Sequence, residues 1–132
     1  MQPEIVFGNA HIDGADCRGW FMGNFITPFN NPRSTQDLEV KLAIHKAGEM
    51  RPEWSINQES TTLSILIHGR FRLEIPDKNF VLSKEGDYVL WPPGIAHSWY
   101  AETDSTILTV RWPSTAGSSM PIQSPLELSN VF

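Results

Sequence analysis

Gly86-Asp87-Tyr88-Val89-Leu90-Trp91-Pro92-Pro93-Gly94-Ile95-Ala96-His97 is the densest run of chain-shaping residues in the sequence. Gly86 permits a sharp entry, and Tyr88 to Trp91 is long enough for one short strand. Pro92 and Gly94 then fix a reversal, and His97 is delivered onto a strand just beyond it. Asp87 follows Gly86 in a turn where carboxylates commonly accept from backbone amides, and it is read as structural.

Working outward, the neighbouring segments also read as short strands between turns. Leu38, Val40, Leu42 and Ile44 alternate with Glu39, Lys41 and His45 before the break at Ala47-Gly48, which predicts a strand. From Thr61 to Ile67, Leu63, Ile65 and Ile67 alternate with Thr62, Ser64 and Leu66. Gly69 separates this run from Phe71 to Ile75, and together they predict a hairpin. Pro76-Asp77 ends that strand, Phe80 to Leu82 starts another, and Lys84 to Asp87 turns the chain into Tyr88. Further strands are expected around His97 to Tyr100, over Thr106 to Trp112 and over Arg18 to Ile26. Asn30 to Ser34 reads as a loop, with one helical turn at Thr35 to Leu38. Beyond Pro113 the chain is a Ser-, Pro- and Gly-punctuated tail, in which only Leu126 to Phe132 has the apolar content to dock.

The stretch from Gly86 to His97 resembles the second motif of the cupin superfamily, a glycine, five residues, then Pro-x-Gly-x-x-His, although Ala101 stands where that motif often has asparagine. Gly48 and Gly69 bracket the region where cupins carry their first motif, so the resemblance covers roughly Leu38 to Trp112. It implies an all-β fold, an antiparallel double-stranded β-helix or jelly-roll barrel that encloses a small-molecule pocket. Residues 1–132 are then one domain, with a core at about 38–112, N-terminal strands within 1–30 and a tail at 113–132. Most members of the family hold a divalent metal through two histidines and a carboxylate of the first motif and one histidine of the second. Carried over residue by residue, the first-motif ligands fall at Trp54, Ile56 and Thr62, six and eight residues after Gly48 and seven before Gly69. Indole has no free lone pair, Ile56 has no donor atom, and Thr62 is a poor neutral ligand. Only His97 remains in place, and one imidazole cannot hold a metal that needs about three protein donors. No cofactor is therefore expected. Glu53 and Glu59 flank the lost positions as displaced candidates, but loop carboxylates of this kind are usually solvated. His45, His68 and His11 read as a solvated strand residue, a turn residue and a residue of an irregular stretch.

Composition bounds the function. With Lys+Arg 10 against Asp+Glu 15, the 132-residue chain carries a formal charge of −5, and no basic cluster stands out. That disfavours nucleic acid and anionic membrane surfaces, both of which demand concentrated positive charge. The first ten residues do not read as a signal peptide, and no apolar run approaches the ~18 residues of a membrane span. A cytoplasmic protein is expected. The single Cys17 excludes an internal disulfide framework. Trp 5, Phe 7 and Tyr 2 form an aromatic-rich set that must go into a core, a pocket or an interface.

On the family's inward face, alternation is expected to bring together Trp54, Ile56, Thr62, Ser64, Leu66, His97 and Trp99. Such a lining suits an uncharged or weakly polar small molecule, with Arg111 a weaker candidate at the mouth for a carboxylate. The leading expectation is a metal-free cupin that binds a small molecule. The alternative is a cupin enzyme, with isomerase- or epimerase-like acid–base chemistry at His97 or metal-dependent oxidoreductase chemistry through displaced ligands. A third reading is a filled barrel with a structural role. Finally, Leu63, Ile65 and Ile67 must point away from the pocket, so another segment or subunit is expected to cover them, and a two-fold homodimer follows.

Overall fold

The period-two runs become strands in the computed structural model, which describes residues 4–117 and 119–122, the last four by their backbone alone. The stretch from Leu126 to Phe132 lies outside the described residues. The chain forms β1 (Trp20–Met22), β2 (Glu39–His45), β3 (Trp54–Asn57), β4 (Thr61–His68) and β5 (Phe71–Ile75). It continues through β6 (Lys78–Leu82), β7 (Tyr88–Trp91), β8 (Ala96–Ala101), β9 (Ser105–Trp112) and β10 (Ser119–Ile122). A one-turn helix, α1 (Ala10–Asp13), is capped by Asn9, whose side-chain oxygen accepts from the His11 and Ile12 amides. No helix among the described residues is long and apolar enough to cross a membrane.

The strands form two five-stranded antiparallel sheets, ordered β1-β2-β9-β4-β7 and β10-β3-β8-β5-β6. Chain neighbours from β4 onward mostly change sheet, so the two layers close face to face as a jelly-roll barrel. The all-β double-sheet expectation therefore holds.

Three local expectations are corrected, and the segment beyond Pro113, expected to be a tail able to dock only through Leu126 to Phe132, supplies β10, which pairs with β3. The strand foreseen over Arg18 to Ile26 shrinks to Trp20–Met22, because Arg18, Gly19 and Gly23 take positive φ and interrupt the extended backbone. The turn at Thr35 to Leu38 is not helical. The third correction concerns β4 and β5, which are not a hairpin: β4 pairs with β7 and β9, while β5 pairs with β6 and β8. Gly69 is a corner between sheets, at φ 102, where a Cβ would overlap the Asp104 carbonyl and Ser105. Glycine there permits close backbone approach, which a sequence reading cannot distinguish from a hairpin glycine.

Packing is uneven along the barrel. Leu66, Phe71, Leu82, Ala101 and Ile107 form a buried apolar cluster, with Val89 and Trp99 against it. This end is filled. The other end carries most of the inward polar side chains, and the cavity lies between them and the inner surface of Phe71, Trp99 and Ile107.

Candidate functional site

Strand register sets the composition of the inner face. In the first sheet Glu39 pairs with Arg111, Arg111 with Thr62, and Thr62 with Trp91, making one transverse row. The next row is Lys41, Thr109 and Ser64, and below it come Ala43, Ile107 and Leu66. Directly opposed residues share a face, so polarity falls from charged to aliphatic over three rows. β2 thus turns its polar residues inward and Val40, Leu42 and Ile44 outward. The usual expectation that the apolar side of a strand faces the core is inverted here. Arg111 faces the interior with its side chain 13% exposed, and His45, expected to be solvated, is 12% exposed. The His45 ring lies 4.3 Å from Trp99 and 5.5 Å from Phe71, and its Nδ1 is 3.0 Å from Glu49. Burial lowers its pKa, against the raising effect of the bond to Glu49.

The second sheet supplies His97 and Trp99 from β8. Ser55, not Trp54 or Ile56, is the residue opposite His97, so Ser55 and Asn57 share its face. Trp54 and Ile56 point the other way, and neither lines the cavity. The expectation for these two residues is corrected by a one-residue difference in register, which exchanges every side chain across the sheet. Leu66 is fully buried, but it belongs to the apolar cluster and not to the cavity wall. Thr62, Ser64, His97, Trp99 and Arg111 do line the cavity. Sequence reasoning missed Lys41, Arg51 and Trp91 on its wall. The strict alternation of Lys41 with Val40 and Leu42 held the signal for the first, once β2 is known to face its polar side inward. Arg51, on the loop before β3, left no such pattern; its backbone N–H donates to the Trp99 carbonyl at 3.1 Å.

Several polar groups are fixed by hydrogen bonds. The Ser64 and Thr109 hydroxyls are 3.0 Å apart, and the Asn57 amide donates to Thr62 Oγ1 at 3.0 Å. His97 Nδ1 lies 3.1 Å from the Ile95 carbonyl oxygen, which can only accept, so Nδ1 carries the proton and Nε2 has a free lone pair. Burial pushes the His97 pKa down to about 4, with Arg51, Arg111 and Lys41 adding to the shift against the Ile95 bond. The imidazole is neutral at pH 7. Burial also lowers the Lys41 pKa to about 7, reinforced by Arg111, Arg51 and Arg18. The Arg111 guanidinium stands 3.6 Å from Glu39, whose own pKa is raised by burial despite that cation. Trp20 lies against both cations, 4.5 Å from Arg111 and 5.2 Å from Lys41.

These residues do not fit a divalent metal. The groups that share the cavity with His97 are one further imidazole, His45, three basic side chains and neutral hydroxyls, and no group of three His, Cys, Asp or Glu stands together among the described residues. Glu53, Glu59, His68 and His11 are all exposed. Asp87 serves the turn, accepting from the Ser83 and Lys84 amides at 3.0 Å each, and these bonds lower its pKa.

No protein-family model matches the chain, and no curated protein matches it in sequence. Solved structures do match it in shape. It is similar to an uncharacterized conserved protein with a double-stranded β-helix domain from Klebsiella pneumoniae, with TM-score 0.60 and 18% identity over 68% of this chain and 78% of that one. It is similar to KdgF from a Halomonas species, with TM-score 0.53 and 23% identity over 61% of this chain and 74% of that one. It is also similar to an RmlC-like cupin from Shewanella frigidimarina, with TM-score 0.54 and 17% identity over 61% of this chain and 70% of that one. Identities this low speak to architecture and not to chemistry. With two antiparallel sheets closed into a barrel and cupins among its structural neighbours, the chain has the cupin, double-stranded β-helix fold.

Proposed function

We propose that the protein binds a small molecule, without a metal ion, in the barrel cavity beside His97. The observation that carries this reading is the unfilled polar half of the barrel. Its cavity is small, with room for a few water-sized molecules, and part of it is open to solvent. Trp91 and Trp99 offer apolar area, while Ser64, Thr62 and the neutral His97 imidazole offer orienting hydrogen bonds.

One observation favours acid–base catalysis as a second reading. A neutral imidazole and an amine with a pKa near 7, Lys41, share the cavity, so a proton acceptor and a proton donor coexist near neutral pH. Titrating the full-length protein with sugars, phenols and small carboxylic acids while following tryptophan fluorescence tests both. Binding predicts a saturable change reported by Trp91 and Trp99, lost in Ser64→Leu, which fills the cavity. A flat response to every compound class overturns the binding reading. Conversion of a bound compound, abolished by His97→Gln, establishes the second.

A further inference from the structure

Arg51, Arg111 and Trp91 all line this one cavity, and each holds a buried N–H with no acceptor among the described residues: Arg51 Nε, Arg111 Nε and Trp91 Nε1. Each unpaired buried donor costs about 1–3 kcal/mol, and more where the group is charged. Lys41 adds an ammonium to the same wall. No Asp or Glu lines the cavity: Glu39 stands 3.6 Å from Arg111 and also bonds Ser114, while Glu53 acts on Arg51 from outside it. A guanidinium cannot shed its proton near neutral pH, so the fold holds two like charges together in a partly dry space. In a chain with formal charge −5, this local excess of positive charge runs against the whole. Unsatisfied donors and desolvated like charges that converge on a cavity mark a functional site.

We propose that the cavity takes a compact organic carboxylate, its oxygens accepting from Arg51, Arg111 and Trp91 with Lys41 as a further cation. This rests on the reading that the cavity binds a small molecule, and it names the chemical class. The other wall supplies the reason for an organic anion over an inorganic one. Phe71, Leu73, Trp99 and Ile107 also line the cavity, and they reward a carbon body but not a bare oxyanion. Size limits the body. The cavity has room for only a few water-sized molecules. A carboxylate with a few carbons matches it; a long chain does not. Trp20, against both Lys41 and Arg111, holds these two cations in place before the ligand arrives.

Calorimetric titration of the full-length protein with propionate and benzoate, their neutral amides propionamide and benzamide, and inorganic phosphate tests the assignment. At least one acid is expected to bind, its amide about tenfold or more weaker, and phosphate weaker than the acid. Amides binding as well as acids overturns the anion assignment and leaves small-molecule binding intact. Phosphate binding best overturns the organic part of it, and no binding by any of the five overturns both. Arg51→Met separates a ligand contact from a structural role. It removes a partly buried charge whose Nε has no acceptor, on a loop whose backbone bond is kept, so without ligand it melts at or above the wild-type temperature, while acid binding weakens by about tenfold or more. A variant that melts lower with acid affinity unchanged counts against the proposal.

Discussion

His97 is neutral in the folded protein because ionising it would place a charge in a buried site beside Arg51, Arg111 and Lys41. Its folded pKa of about 4 lies below the ordinary 6.5, so between these values the unfolded chain binds more protons than the folded one. Stability therefore rises with pH from about 4 to 6.5 and is lost on acidification through that window. The contribution at pH 4 is on the order of 3 kcal/mol. Thermal unfolding followed across this range should show the melting temperature climbing with pH, and His97→Gln should flatten that part of the climb. A wild-type curve as flat as that of the variant would show that the imidazole is not desolvated. The lost metal ligands are a second matter of single residues. Purified protein is expected to hold no stoichiometric transition metal, which elemental analysis checks. Because Ser55 and Asn57 share the face of His97, Ser55→His with Asn57→His and Thr62→Glu should create measurable zinc affinity. The same substitutions at Trp54 and Ile56 should not, although the motif spacing in the sequence points to them. Zinc binding by the second set and not the first would reverse the register argument.

At the scale of elements, the corner between β4 and β5 distributes the strands between the two sheets. Gly69 permits it by accepting φ 102 while Asp104 and Ser105 pack where a Cβ would stand, and the Ser105 hydroxyl donates to the Arg70 carbonyl at 3.0 Å. Gly69→Ala is expected to cost at least about 1–3 kcal/mol from backbone strain alone, with the overlap adding to it. Urea unfolding measures the loss, and a change under about 0.5 kcal/mol would mean that the corner relaxes freely. The same element explains the cavity's polarity. β4 places Thr62, Ser64 and Leu66 inward in sequence, so a single strand carries the passage from hydroxyl-lined cavity to aliphatic core.

For the whole molecule, the consequence of inward polar rows is an outward apolar sheet. Leu63 pairs with Val110 and Leu90, and Ile65 with Leu108 and Tyr88, on the outer face of the first sheet. Ile44 at 59%, Leu90 at 53% and Ile67 at 43% exposure leave much of this face uncovered by the described residues. Covering an aliphatic side chain fully contributes roughly 1.5–3 kcal/mol on transfer scales, so a second surface laid over this face would be stabilising. A two-fold homodimer is the expected assembly, and Ile65→Glu should dissociate it. Sedimentation of the wild-type protein as a monomer near 14.9 kDa at micromolar concentration would rule this out.

The existence of most strands was legible in the sequence because period-two alternation and Gly or Pro punctuation are local, whereas β10, inside a Ser- and Pro-rich stretch, carried no such signal. Glu39 to His45, Phe71 to Ile75 and Tyr88 to Trp91 needed nothing else. The turn chemistry of Pro92 to Gly94, which delivers His97 inward, is local as well. The direction in which each strand faces is not. Both sides of β2 alternate equally well, and only its pairing with β9 decided that Lys41 points inward and Leu42 outward. The one-residue step that put Ser55 opposite His97 is likewise a property of two strands together, 42 positions apart in the chain. The cluster of Arg51, Lys41 and Arg111 was invisible for the same reason. Three isolated cations in an acidic sequence come to share one cavity wall only when a loop and two strands converge, and charge acts through space rather than along the chain.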